Sequence, residues 1–170
     1  QNLTISEIMY NPGGSDDTEF VEVANITTSE TVHLTGVAFS RGIDFSFPDG
    51  FFLVPGQAVL VVKNRAAFIA AYPSVHESLI VGEFANNTGL SNSGETLALT
   101  ATDGTLMREI TYSDAPPWPA SADGDGSSLE LTKPFENADP SLATNWQTDP
   151  VAGGSPGITD RRPFTGFTGD

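Results

Sequence analysis

Apolar and polar residues alternate in short runs along most of the chain. Gly, Pro, Asn and Asp cut these runs at close intervals, the pattern of strands in an antiparallel sheet. The clearest case is Leu90–Tyr112, where two segments rich in Thr, Leu and Ile flank Asp103-Gly104, a dipeptide that tolerates the positive φ angles of a tight hairpin turn. A two-residue loop there pairs Ala101 with Leu106, Leu99 with Arg108 and Leu97 with Ile110. One face is then mostly apolar, with Thr100, Glu109 and Thr111 on the other. Leu3–Tyr10 and Glu19–Asn25 read as strands, as do Thr31–Ser40 and Ile43–Phe47, with Phe39, Phe45 and Phe47 as core weight. Gln57–Lys63 is a nearly continuous apolar run, which suits a central strand covered on both sides. Asn64 can cap a helix over Arg65–Tyr72, which Pro73 stops, and Ser78–Phe84 is a further strand.

After Tyr112 the chain becomes rich in Pro and Gly, and only Ser127–Thr132 reads as a strand. So long a stretch packs down through its large side chains, here Trp118, Leu129, Leu131, Phe135 and Trp146. Eight or nine short strands, one helix over about 65–72 and no strand–helix alternation predict an all-β fold, an antiparallel β-sandwich. Residues 1–158 form one domain whose segment 113–158 wraps the sandwich, and 159–170 is a tail or linker.

Charge narrows the partners. Twenty-two acidic against seven basic residues give −15 at pH 7, which repels phosphate backbones and anionic membrane surfaces, so nucleic acid is not an expected partner. No stretch approaches the length of a membrane span and none reads as a signal peptide, so no membrane insertion is expected. The start at Gln1 reads as a processed or excised segment. Without cysteine there is no disulfide frame, thiolate metal site or cysteine nucleophile.

Candidate chemistry is sparse. His33 lies inside a strand and His76 in a loop, neither near a nucleophile elbow, so both read as structural and no catalytic residue is assigned. Carboxylate pairs such as Glu19/Glu22 or Asp123/Asp125 arise by chance in so acidic a chain, and a glycosidase or other hydrolase would need two of them with shifted pKa values in a cleft. In Glu19–Asn25 one carboxylate falls on each face, so whichever face is buried carries an acid. A strand-end position that reaches water is the expected resolution. Calcium is the better chemical candidate: Asp123 and Asp125 lie in a Gly-rich turn that can offer carboxylates and carbonyls to a hard cation, and Asp114 can approach from the hairpin end. The turn is not an EF-hand, since Pro134 stands where its bidentate Glu would be. Sequons stand at Asn2, Asn25 and Asn86.

Several pieces stand in a telling order: Ile5-Ser6-Glu7-Ile8-Met9-Tyr10-Asn11-Pro12, Glu19-Phe20-Val21-Glu22-Val23, Leu34-Thr35-Gly36 and Val54-Pro55-Gly56. Further on come Leu90-Ser91-Asn92-Ser93-Gly94-Glu95, Trp118-Pro119, Asn145-Trp146 and Gly154-Ser155-Pro156-Gly157. Their order and spacing together resemble the lamin-tail domain family in its bacterial secreted and surface form. The resemblance implies an immunoglobulin-like sandwich used as a non-catalytic accessory binding or scaffold module, extracellular or on the cell surface, contacting protein or glycan and monomeric as an isolated domain. A calcium-stabilised structural spacer is the alternative, and an intracellular scaffold like the nuclear relatives a further one. Two positions depart from the pattern: Val37 stands where many relatives place Trp, and Arg108 where an acid is common. Arg108 is expected to snorkel or to pair with a carboxylate.

Overall fold

The computed structural model describes residues 2–148 and 152–158; the expected tail, 159–170, lies outside them. Twelve strands form among these residues. They are β1 (Leu3–Met9), β2 (Phe20–Asn25), β3 (Val32–His33), β4 (Ala38–Arg41), β5 (Phe45–Ser46), β6 (Phe52–Leu53), β7 (Ala58–Val62), β8 (Ile80–Glu83), β9 (Gly94–Thr100), β10 (Leu106–Ser113), β11 (Leu129–Leu131) and β12 (Trp146–Thr148). A six-stranded sheet in the order β12-β11-β1-β2-β7-β8 faces a four-stranded one, β10-β9-β4-β5, and β3 and β6 pair separately. The shared interior holds Ile5, Ile8, Val21, Val23 and Val61 with Phe39, Phe45, Leu97, Leu99 and Ile110. This is the predicted sandwich, with Phe39, Phe45 and Phe47 all in its core.

Local rules explain most elements and two departures. Asn64 accepts a hydrogen bond from the Ala67 N–H and starts helix α1 (Arg65–Ala71), which Tyr72 ends. β7 is buried at all five residues because α1 covers one face and the opposing sheet the other. The run Thr31–Ser40 does not stay one strand: Gly36, at φ +67°, turns the chain between β3 and β4. The hairpin loop is also not two residues long. Gly104 alone has positive φ, its N–H donates to the Ala101 carbonyl, and the Ala101 N–H donates to the Thr105 carbonyl. That is a type I turn closed by a left-handed glycine, so Leu106 faces Thr100 instead of Ala101. A bulge at Met107 then restores the predicted pairs Arg108–Leu99 and Ile110–Leu97.

One strand pair breaks the antiparallel rule. β7 and β8 run parallel, joined through α1, so the succession strand–helix–strand over 58–83 forms the crossover that a parallel pair requires. The described residues after Tyr112 pack against the sheets through their large side chains. Trp146 is 4% exposed and donates its indole N–H to the Pro140 carbonyl, Trp118 lies 6.0 Å from it between ring centres, and β11 and β12 extend the large sheet beyond β1.

The outer face of the six-stranded sheet positions the candidate site. Along β2 it presents Phe20, Glu22 and Ala24 in turn. Phe20 lies under Phe68 of α1, Ala24 packs in a cluster touched by Phe135, and the acid between them is left to another cover.

Candidate functional site

Three glutamates stand side by side on that outer face. Glu7 in β1 is the direct cross-strand partner of both Glu22 in β2 and Glu130 in β11. Opposed like charges destabilise a sheet, yet Glu7 is 2%, Glu22 1% and Glu130 7% exposed. Their cover is the segment Gly154–Ile158, and it bonds to all three. The Ser155 N–H donates to Glu7 Oε1 at 2.8 Å, the Ser155 hydroxyl to Glu130 Oε1 at 2.6 Å, and the Gly157 N–H to Glu22 Oε2 at 2.8 Å. From the sheet itself Ser128 donates to Glu7 Oε1 at 2.6 Å and Ser6 to Glu22 Oε1 at 2.7 Å. The motif Gly154-Ser155-Pro156-Gly157 thus acts as a strap. Gly154, at φ +72°, could carry no side chain, since a Cβ there would lie 2.2 Å from both Glu7 Oε1 and the Ser128 hydroxyl.

Burial dominates the electrostatics. It raises the Glu7 carboxyl well above the ordinary carboxylate range, with the Glu22 charge adding to it, while the bonds from Ser128 and Ser155 pull the other way. Burial likewise lifts Glu22 to about 7 against its bonds from Ser6 and Gly157. Among the described residues neither Glu7 nor Glu22 forms an ion pair. Beside the row opens a cavity of about 310 Å³, bounded further out by Thr132, Lys133, Gln147 and Ile158. Two acids with raised pKa values therefore do line a cavity. They share one wall as neighbours on adjacent strands, however, and do not face each other across a gap that a glycosidic bond could enter.

The expectation that the acids of Glu19–Asn25 reach water is corrected. Glu19, also 1% exposed, is buried on the opposite side from Glu22, where Lys63 Nζ lies 2.7 Å from Oε1 and the Leu90 N–H donates to Oε2 at 2.7 Å. Each acid is held by dedicated donors, which is how a buried carboxylate is tolerated. Arg108 does not snorkel, and among the described residues it makes no direct ion pair, although the Asp139 carboxylate acts on it electrostatically. Arg108 is 5% exposed, and its Nε donates to the Leu3 carbonyl at 2.8 Å. Val37 fills its place in the core. Asn25 is buried with its amide bonded to the Leu53 and Glu30 carbonyls, so in the folded domain that sequon is closed.

The calcium candidates are placed as follows. Asp123 and Asp125 are exposed and Asp114 half-buried; Asp123 accepts a hydrogen bond from the Asn11 amide at 2.7 Å, and a bridge joins Asn11 to Asp123. Asp123 and Asp114 both act on Tyr10, whose hydroxyl is buried with no hydrogen-bond partner among the described residues; burial first, then these two charges, push it up to about 12. Among the described residues no three His, Cys, Asp or Glu side chains are gathered so as to hold a metal ion. His76 caps a turn by accepting from the Ser78 N–H, and His33 lies on exposed strand surface, both structural settings.

What sequence reasoning missed is the acid row. Its one local signal was a Glu within each of three largely apolar strands, β1, β2 and β11, with no clue to the donor. No curated protein matches the chain. The family model described as Lamin Tail Domain matches residues 1–114.

Proposed function

From the premise that the chain belongs to the lamin tail domain family, a family of structural immunoglobulin-like domains, we propose that it is a non-catalytic accessory module of a secreted or cell-surface protein, monomeric by itself, that holds protein contacts on its loops and sheet edges. One observation carries this reading: the ionisable groups that converge in the domain are engaged as acceptors for its own strap, Ser155 and Gly157, and so serve to fix the fold. Protein is favoured over glycan because Trp146 is buried and Trp118 half-buried against the core beside it, so neither offers a fully open indole face of the kind on which a sugar ring stacks. The motif-by-motif likeness to the bacterial form supports the secreted or surface setting. The test is to screen the purified domain in parallel against a displayed peptide library, a glycan array and a panel of glycoside and ester substrates. Selective peptide binding without turnover is expected. Turnover abolished by Glu7→Gln or Glu22→Gln would refute the proposal.

A second reading, a calcium-stabilised spacer, has in its favour the Tyr10 hydroxyl, buried without a partner among the described residues and under the influence of Asp123 and Asp114, since such a group invites a partner. It requires millimolar calcium to raise the unfolding midpoint, and Asp123→Asn to abolish the rise. An unchanged midpoint ends it.

A further inference from the structure

Two strand edges are left unused by the sandwich, and they border the same groove. Among the described residues β3 pairs only with β6, and β10 only with β9. Between them lies a groove of about 480 Å³ with Thr31, Val32 and His33 on one side and Leu106 and Met107 on the other, and with the buried Leu3 also lining it. Leu106 and Met107, consecutive at the bulge, both line this groove, Leu106 half-exposed and Met107 partly buried against the core. Apolar surface gathers around it. Of the five large apolar residues exposed among the described residues, Leu106 (52%) lines the groove, Phe52 (48%) lies 6.0 Å from the His33 ring between centres, and Val54 (44%) follows two residues after Phe52.

We infer that this groove is a docking site for an extended segment of another protein, apolar at alternate positions and basic between them, which adds as a strand between β3 and β10. The extended backbone follows from the two free edges, whose donors and acceptors are met by strand addition. The apolar positions follow from Leu106 and Met107, which line the groove, and from Phe52, exposed beside the His33 that also lines it. The basic positions follow from charge. Among the described residues no Lys or Arg lines the groove, Arg108 is turned inward onto the Leu3 carbonyl, Glu30 is held at the rim by Asn2, and Asp103 accepts from the Thr105 N–H. The chain as a whole carries −15. This inference rests on the binding-module reading and names its partner class.

The experiment titrates the isotope-labelled chain with a nine-residue peptide alternating Lys and Val, watching backbone amide shifts. Two control peptides accompany it: the same sequence N-methylated at every Val, which removes the donors along one edge, and a Glu–Val counterpart. Saturable shifts centred on Val32, His33, Leu106 and Met107 are expected. Binding should be at least tenfold weaker for the N-methylated peptide and for the Leu106→Asp variant, and absent for the Glu–Val peptide. Leu106 is half exposed, so the variant should keep its unfolding midpoint; Phe52→Ser serves as a second variant should it not. Equal binding by either control peptide would overturn the inference, as would self-association of the chain through the same amides. Shifts that map elsewhere would also overturn it while leaving the binding-module reading standing, because that reading falls only if the peptide library as a whole yields nothing.

Discussion

Replacing Glu22 by Gln tests the electrostatics of the strap directly. The carboxyl moves from an ordinary value of 4.5 to about 7 on folding, chiefly through burial. A carboxyl raised in this way favours the folded state below its unfolded pKa and loses that contribution as pH rises through the folded value. Between about pH 4.5 and pH 7 the domain should therefore lose about 3 kcal/mol from this residue alone, and Glu7 shifts in the same direction. For a chain of this length that corresponds to about 6–12 °C in unfolding midpoint. Gln removes the titration yet keeps the contacts: its carbonyl can accept from the Gly157 N–H, and its amide can donate to the Ser6 hydroxyl, which now lies 2.7 Å from the carboxylate. Scanning calorimetry of both proteins across this range, at about 0.15 M salt to screen the net charge, should give curves that cross. The variant is equal or slightly less stable in acid and several degrees more stable at about pH 8, by part of the 3 kcal/mol. Parallel curves, or a wild type that gains stability from pH 5 to pH 8, would refute the reasoning.

Gly154→Ala should destabilise by about 3 kcal/mol in urea unfolding, because a Cβ there collides with Glu7 and Ser128 and the backbone lies at φ +72°. Lys63→Met leaves Glu19 buried without its cation and should cost about 3–5 kcal/mol. Adding Glu19→Gln should recover much of that in a double-mutant cycle. Tyr112→Phe should cost about 1–2 kcal/mol, since that hydroxyl donates to the Ser91 carbonyl at 2.8 Å. Tyr10→Phe, which removes a hydroxyl with no partner among the described residues, should cost less than about 0.5 kcal/mol; both are read from thermal midpoints.

Where partners lie close in the chain, the sequence made structure legible. Asn64 reaches Ala67 three residues on, Asp103-Gly104 closes its hairpin, and the apolar run ending at Val62 becomes a buried strand. Even there, whether the loop held two or three residues was decided by Gly104 alone taking positive φ, which Asp-Gly permits without dictating. The parallel pair β7–β8 was foreshadowed by strand, helix and strand in succession, but one such unit inside an antiparallel pattern is easily read as an isolated helix. β3 and β5 are two-residue pieces inside the longer runs read as strands, Thr31–Ser40 and Ile43–Phe47, while β6 and β12 fall in segments not read as strands at all. The acid row was out of reach for a different reason. Glu22 and its donor Gly157 are 135 residues apart, and Glu7 and Ser155 are 148 apart, so no local pattern links them. The same separation hid the burial of Arg108 against Leu3, 105 residues away.

The strap has a mechanical meaning as well. A pull on the chain beyond Ile158 would load the three hydrogen bonds from Ser155 and Gly157 before it reached any strand pairing of the large sheet. Since the row grips those donors from β1, β2 and β11 at once, tension would spread across three strands, and how much the clasp withstands would depend on the acidity of its surroundings.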